Sequence, residues 1–266
     1  MKARSEREGL GDTPSITRSR SAKDPRQTVQ DAWQALSPLS VDRKTVIRNR
    51  LVASTSGEMA IPFDMLRTKL LQQVKENKWR RIALVSPGSN CGKSTIAANL
   101  GFSLSRMKEL RTIIMDFDLR RMGLGKVLGQ SQSLGMPDVL AREADFSDVA
   151  QCLNGNVAFG LNAQSGRNPS EILQSAQTSE ILDEIEEAYQ PDVMLFDMPP
   201  LMANDDSHGF LQSVDCALLV VVAEQTPMEQ IDVAERQLAA LTNVLGIVLN
   251  RCRYTTGAHG YENEYY

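Results

Sequence analysis

The sequence predicts an α/β fold of three layers, with a mostly parallel central sheet flanked on both faces by helices. Three observations predict it. Six short apolar runs recur along the chain: RIALVS (81–86), RTIIMDFD (111–118), VAFGLNA (157–163), DVMLFD (192–197), CALLVVVA (216–223) and VLGIVLN (244–250). Each is continuously apolar rather than alternating, as strands covered on both faces are. Helical periods separate several of them, the alternation that builds parallel sheets.

The elements follow in order. Residues 1–40 are rich in Ser, Arg, Asp, Thr and Pro and show no sustained period, so they read as mostly disordered. VIRNRLVA (46–53) reads as a short strand or a docking arm. From Phe63 the pattern turns helical, with Phe63, Leu66, Leu70, Leu71 and Val74 on one face and Pro62 in the first turn. TIAANLGFSLSRM (95–107) is a helix directly after the first strand. A glycine-containing loop (Gly123, Gly125, Gly129) follows the second strand, and a helix is expected around Pro137–Arg142. Residues 170–189 carry one or two helices, and Met228–Leu241 carries another. This divides the 266 residues into a basic N-terminal arm (1–57), a nucleotide-binding domain (58–250) and a flexible tail (251–266).

Composition excludes several functions. The formal net charge of −4 gives no argument for nucleic acid, although residues 1–50 hold eleven Lys/Arg against six Asp/Glu. A basic arm of this kind suits a solvated tail, an anionic membrane surface or a partner. No apolar run reaches the ~18–20 residues that span a bilayer, and MKARSEREGL lacks a secretory segment, so a cytoplasmic protein is expected. Four scattered cysteines and two histidines argue against zinc and against a disulfide framework.

The chemistry lies at three strand ends. SPGSNCGKST (86–95) closes as the G-x-x-x-x-G-K-[ST] pattern does, with Pro87 in place of the first glycine. Its position between a strand and a helix makes it a phosphate cradle: Gly88, Ser89, Asn90, Cys91, Gly92, Lys93, Ser94 and Thr95 surround a polyphosphate, with backbone N–H groups at a helix N-terminus. Lys93 reaches the outer phosphates and the Ser94 hydroxyl binds Mg²⁺. A thiol at that helix start, Cys91, is either a redox-sensitive group or a small residue that suits the turn. Asp116 and Asp118 end the second strand on one side, with Phe117 facing the other way. Asp197 ends the fourth. Such acids hold Mg²⁺ or accept a proton. Asp205 and Asp206 are read as helix caps. The fold is therefore that of a P-loop NTPase that uses ATP and Mg²⁺.

These residues resemble the bacterial tyrosine autokinases of capsule and exopolysaccharide synthesis, in the MinD/ParA-like branch of P-loop ATPases. The matching stretches are LRTKL (66–70), SPGSNCGKSTIAANL (86–100), DFDLRRMGLGKVLG (116–129), NPSEIL (168–173) and DMPPLMANDD (197–206). The resemblance covers roughly residues 58–250. It implies a protein-tyrosine autokinase in which Asp116 accepts the proton of an incoming tyrosine hydroxyl. Ser94, Asp118 and Asp197 organise Mg²⁺, Lys93 and Arg120 neutralise the moving phosphoryl group, and Asn250 lies near adenine. The implied acceptors are tail tyrosines. Tyr254, Tyr261, Tyr265 and Tyr266 fall in the last thirteen residues, and the chain has five tyrosines in all, a concentration that packing does not explain.

The resemblance further implies a homo-oligomer, a cognate phosphatase, and a membrane protein controlling polysaccharide chain length that acts as activator and recruits the chain to the inner face of the membrane. The chain departs from the pattern before the first strand and in the loop, where Ser89-Asn90 stands in place of the Pro-Gly of many of these kinases. Gly88 stands where MinD and ParA relatives have a loop lysine. IPFDMLR (61–67) keeps only Arg67 of the ring-building E-x-x-R-x-x-R. Two other readings stay open: an ATP-switched adaptor with little kinase activity, and a positioning ATPase of the MinD or ParA type.

Overall fold

The computed structural model describes residues 25–166, 168–203 and 206–253. Eight strands form one sheet in the order β1-β4-β5-β3-β6-β2-β7-β8. The central strands are β2 (Arg81–Val85), β3 (Thr112–Asp116), β6 (Val193–Asp197) and β7 (Cys216–Val222). All but Arg81 of their residues are buried, as their continuous apolar character requires. β8 (Asn243–Asn250) is the far edge and pairs parallel to β7. On the other side β3 pairs with β5 (Val157–Gly160), and β5 with β4 (Ala150–Leu153), the one antiparallel pair among the described strands. The order β3-β6-β2 places the carboxyl ends of three chemistry-bearing strands side by side.

Helices cover both faces. The first helix, α1 (Pro25–Ala35), α6 (Met136–Leu140), α7 (Phe146–Val149), α8 (Pro169–Gln174), α9 (Ala176–Tyr189), α10 (Asp206–Phe210) and α11 (Met228–Ala239) share one core with the sheet. At its centre Phe117, Phe196 and Phe210 pack as a ring trio with centroids 4.8–5.0 Å apart. The opposite core is built by α3 (Ile61–Asn77), α4 (Lys93–Ser105) and α5 (Gly123–Leu128), with Leu70, Ile96, Leu100 and Leu124 fully or almost fully buried. Each such side chain contributes about 1.5–3 kcal/mol. No helix among the described residues is long and apolar enough to cross a membrane.

The N-terminal reading needs correction. Residues 25–57 are not a disordered arm but part of the folded body. In TVQDAWQAL the residues Val29, Trp33 and Leu36 recur at helical spacing, and all three are buried, the first two on α1 and Leu36 just past its end. Trp33 Nε1 donates to the Tyr189 carbonyl at 2.8 Å, and its ring meets that of Tyr189 edge-on. The two-residue β1 (Ser37–Pro38) then pairs with β4. VIRNRLVA is not a strand: α2 (Arg43–Arg48) starts on Asp42, whose carboxylate accepts from Lys44 N and Thr45 N. Leu51 and Ala53 are wholly buried beyond it. Asn99 of α4 clasps this segment, accepting from Ala53 N at 2.9 Å and donating to Arg50 O at 3.1 Å.

Candidate nucleotide site

The loop between β2 and α4 folds around one lysine. Gly92 caps α4 with φ +90°, a conformation L side chains rarely adopt. A Cβ there would also lie 2.4 Å from Asn250 Nδ2. Lys93 is 7% exposed, and its ammonium donates to Ser86 Oγ at 2.8 Å. Ser86 in turn donates to Gly88 O at 2.6 Å. The lysine is thus parked on a neutral hydroxyl, a weaker partner than the phosphate such loops cradle. Cys91 points inward, its thiol 3.3 Å from Gly88 O, which suits a small turn residue. Ser89 and Asn90 form the exposed lip, while Ser94 and Thr95 start the helix.

The acids converge beside that lysine. Asp116 and Asp197 are register partners across β3 and β6. Asp116 Oδ2 accepts from Leu124 N at 3.1 Å, but its Oδ1 has no partner, and neither does either oxygen of Asp197. Burial and then the Asp197 charge push Asp116 well above the usual carboxylate range. Burial raises Asp197 to about 6, although Lys93 and the Ser94 hydroxyl, which faces it outside hydrogen-bond geometry, pull the other way. Asp118 is 8% exposed. Burial raises it too, opposed by Lys93 and Arg121. Gly123 closes the corner: a Cβ there would lie 2.7 Å from Ser94 Oγ and 3.8 Å from Asp197 Oδ2.

This donor set fits Mg²⁺. Three partnerless carboxylate oxygens and one hydroxyl are hard oxygen ligands. No three His, Cys, Asp or Glu among the described residues form a self-contained metal cage. Mg²⁺ does not need one, because it keeps waters and shares phosphate oxygens. All three acids are buried: Asp116 has no exposed surface, Asp197 is 1% exposed, and Asp118 is the least buried of them.

Further residues position the site. Asn162 Nδ2 donates to Asp118 O at 3.1 Å and Arg121 O at 3.3 Å, fixing the loop that carries the acid. Arg120, expected at the phosphoryl group, is instead forked on Asp206 at 2.5 and 2.9 Å. Asp206, read as a cap, opens α10 and also accepts from Ser170 in the NPSEIL segment. It is 1% exposed, so the guanidinium is bound where it neutralises a buried charge. Asn250, expected at adenine, spends its amide on the loop: Nδ2 donates to Cys91 O at 2.8 Å, and Oδ1 accepts from Arg251 N. Arg251 Nη2 donates to Asn90 O at 2.8 Å. Asp205 and the tyrosines 254, 261, 265 and 266 lie outside the described residues.

Ser86, Asn162, Gly123 and Arg121 were not among the expected site residues. The signal that could have found them is position, since each lies within a few residues of a strand's carboxyl end.

Known proteins place this arrangement. The family described as CobQ/CobB/MinD/ParA nucleotide binding domain matches residues 82–264. The chain is 28% identical over 205 residues to EpsB of Ralstonia nicotianae, covering 75% of this chain and 26% of that protein. It is 26% identical over 190 residues to tyrosine-protein kinase YwqD of Bacillus subtilis (71% and 79%). It is also 26% identical over 199 residues to tyrosine-protein kinase wzc of Salmonella typhi (74% and 27%). The chain therefore spans only about a quarter to a third of several curated relatives. Among solved structures, the kinase domain of Escherichia coli tyrosine kinase ETK superposes with a TM-score of 0.67 at 22% identity, over 79% of this chain and 82% of that one, which shows the shared fold. The septum site-determining protein MinD of Pyrococcus horikoshii, complexed with Mg-ADP, superposes with a TM-score of 0.51 at 26% identity (64% and 69%). With its lysine-bearing loop and three strand-end acids, the chain belongs to the CobQ/CobB/MinD/ParA nucleotide-binding domain family.

Proposed function

We propose that the chain is an ATP- and Mg²⁺-dependent protein-tyrosine kinase that phosphorylates Tyr254, Tyr261, Tyr265 and Tyr266 of its own tail. One observation carries the choice of substrate. Asn250 and Arg251, bonded to the carbonyls of Cys91 and Asn90, root the tail at the lip of the loop, and Tyr254 follows three residues later. In this reading Lys93 leaves Ser86 Oγ for the phosphate, and Gly92 and Asn90 hold the backbone turn that brings N–H donors to it. Ser94, Asp116 and Asp197 would hold the ion, which would supply positive charge against the phosphates. Asp118, the least buried of the three acids, accepts the proton of the tyrosine hydroxyl.

The relatives EpsB, YwqD and wzc carry tyrosine-protein kinase in their names, which supports the kinase reading, and a role in exopolysaccharide or capsule synthesis is the part of the proposal that rests on the sequence resemblance. A membrane chain-length protein as activator and recruiter, a homo-oligomer and a cognate phosphatase complete the proposal. A second reading is an ATP-switched adaptor with little kinase activity. It is favoured by Asp64 and Arg67, which turn inward onto α4: Arg67 donates to Ser103 O at 2.9 Å, and Asp64 pairs with Arg106. That leaves little of a ring-building charge pattern outside. Incubation with ATP and Mg²⁺ followed by mass mapping decides between them. Phosphotyrosine on the tail, abolished by Lys93→Met, supports the kinase; ADP release without phosphotyrosine supports the switch. Tail labelling that survives Lys93→Met would overturn the site assignment.

A further inference from the structure

Two successive arginines leave β3, and they are used differently. Arg120 is neutralised by the buried Asp206. Arg121 is exposed, and both its Nη atoms donate to one neutral group, Ser89 Oγ, each at 3.2 Å. No carboxylate among the described residues pairs with it. Its side chain nevertheless spans the mouth of the cradle, from the acid loop to the lip of residues 86–95. The backbone beneath it is pinned at both ends: Arg121 N donates to Asp118 O at 2.9 Å, and Arg121 O accepts from Asn162. The charges of Lys93 and Arg121 both pull the Asp118 carboxyl down against the effect of burial.

Charge makes the placement informative. Inside the cradle one lysine faces three carboxyl groups, a balance that repels a polyphosphate until cations are added. A guanidinium offers a planar fork that matches phosphate oxygens, and exchanging a neutral hydroxyl for phosphate strengthens its bonds. We propose that Arg121 is a phosphate-binding residue, which leaves Ser89 for the terminal phosphate and makes the site prefer a nucleoside triphosphate to a diphosphate. The inference rests on reading residues 86–95 as a phosphate cradle.

The test is calorimetric titration of the full chain with MgATP, MgADP and AMP. Wild type is compared with Arg121→Ala, Arg121→Gln, Arg121→Lys and Lys93→Ala. Arg121→Ala and Arg121→Gln are expected to weaken MgATP about tenfold and MgADP much less, leaving AMP unchanged, while Arg121→Lys recovers part of the loss. Glutamine keeps a donor for Ser89 but no charge. If Arg121→Gln binds MgATP as wild type does, Arg121 only pins the loop and the proposal falls. Equal losses for MgATP and MgADP would also overturn it. If Lys93→Ala binds MgATP as tightly as wild type, the cradle reading itself fails, a result distinct from both. Unchanged thermal unfolding of the nucleotide-free variants checks that the substitutions act on binding.

Discussion

Asp116 and Asp197 lie side by side across β3 and β6, both buried, with three of their four carboxylate oxygens lacking a hydrogen-bond partner. Such a pair is destabilising without a cation and is the natural seat of one. Burial sets Asp197 at about 6, above its ordinary 3.8, so the native chain binds this proton more tightly than the unfolded chain does. The stability contributed by that proton is full below the ordinary carboxylate range and is lost as pH climbs through about 6. Asn at 197 keeps the shape without the charge. Asp197→Asn is therefore expected to raise the nucleotide-free chain's stability at pH 7.5 by roughly 2–3 kcal/mol and to abolish Mg²⁺-dependent nucleotide binding. Denaturant unfolding at pH 5 and 7.5 checks the first; a variant less stable than wild type at pH 7.5 contradicts it.

The same protonation acts on metal binding with the opposite sign. Below about pH 6 Asp197 becomes protonated and loses its capacity as a ligand. The Mg²⁺ requirement for nucleotide binding should rise steeply between pH 6.5 and 5, by about tenfold per pH unit for one proton. Titration of Mg²⁺ at fixed ATP across this range measures it. A flat profile would remove Asp197 from the metal corner.

Gly123 tests whether that corner is a fitted space. A methyl group there meets Ser94 Oγ at 2.7 Å. Gly123→Ala should lower the affinity for MgATP by about tenfold or more, because ligand positions fitted to an ion tolerate little displacement. Nucleotide binding in EDTA should change little. An equal loss with and without Mg²⁺ would instead point to collapse of the loop.

Asn250 separates two roles that sequence alone does not. Its amide is spent on Cys91 O and Arg251 N. Asn250→Ala should therefore weaken ATP and GTP alike, by several-fold, through the loosened loop. Competition between the two nucleotides reads this out, and a loss confined to ATP would restore the adenine contact.

Trp33 tests the N-terminal segment. Trp33→Ala removes a 3% exposed ring and its bond to Tyr189 O. It should destabilise the chain by about 3–5 kcal/mol, read as a lower urea midpoint at unchanged slope. A change below about 1 kcal/mol would mean that α1 is not docked in solution.

The residues that announced themselves were those whose role is local. RIALV, TIIMD, VMLFD and CALLVVV are buried on both faces, and their composition says so without knowledge of partners. Lys93, Asp116 and Asp197 were legible because a loop or strand end fixes them within a few residues. What stayed hidden depends on distant pairing. AQCL (150–153) is a strand only because β5 and β1 flank it. TVQDAWQAL carries its period inside a polar stretch, so composition concealed it. The fork of Arg120 on Asp206 joins positions 86 residues apart, and its neighbour Arg121 looks identical in sequence. No local pattern tells one arginine from the other.

The contact between Trp33 and Tyr189 also has a temporal meaning. The two residues are 156 positions apart, so the tryptophan leaves the ribosome long before its partner exists. At about 5–20 residues per second the delay is roughly 8–30 s. Throughout it, Trp33 lacks the carbonyl and the ring that hold it in the folded chain. The N-terminal helix therefore completes its docking only once α9 has emerged, and the nascent chain must keep that apolar face from other partners until then.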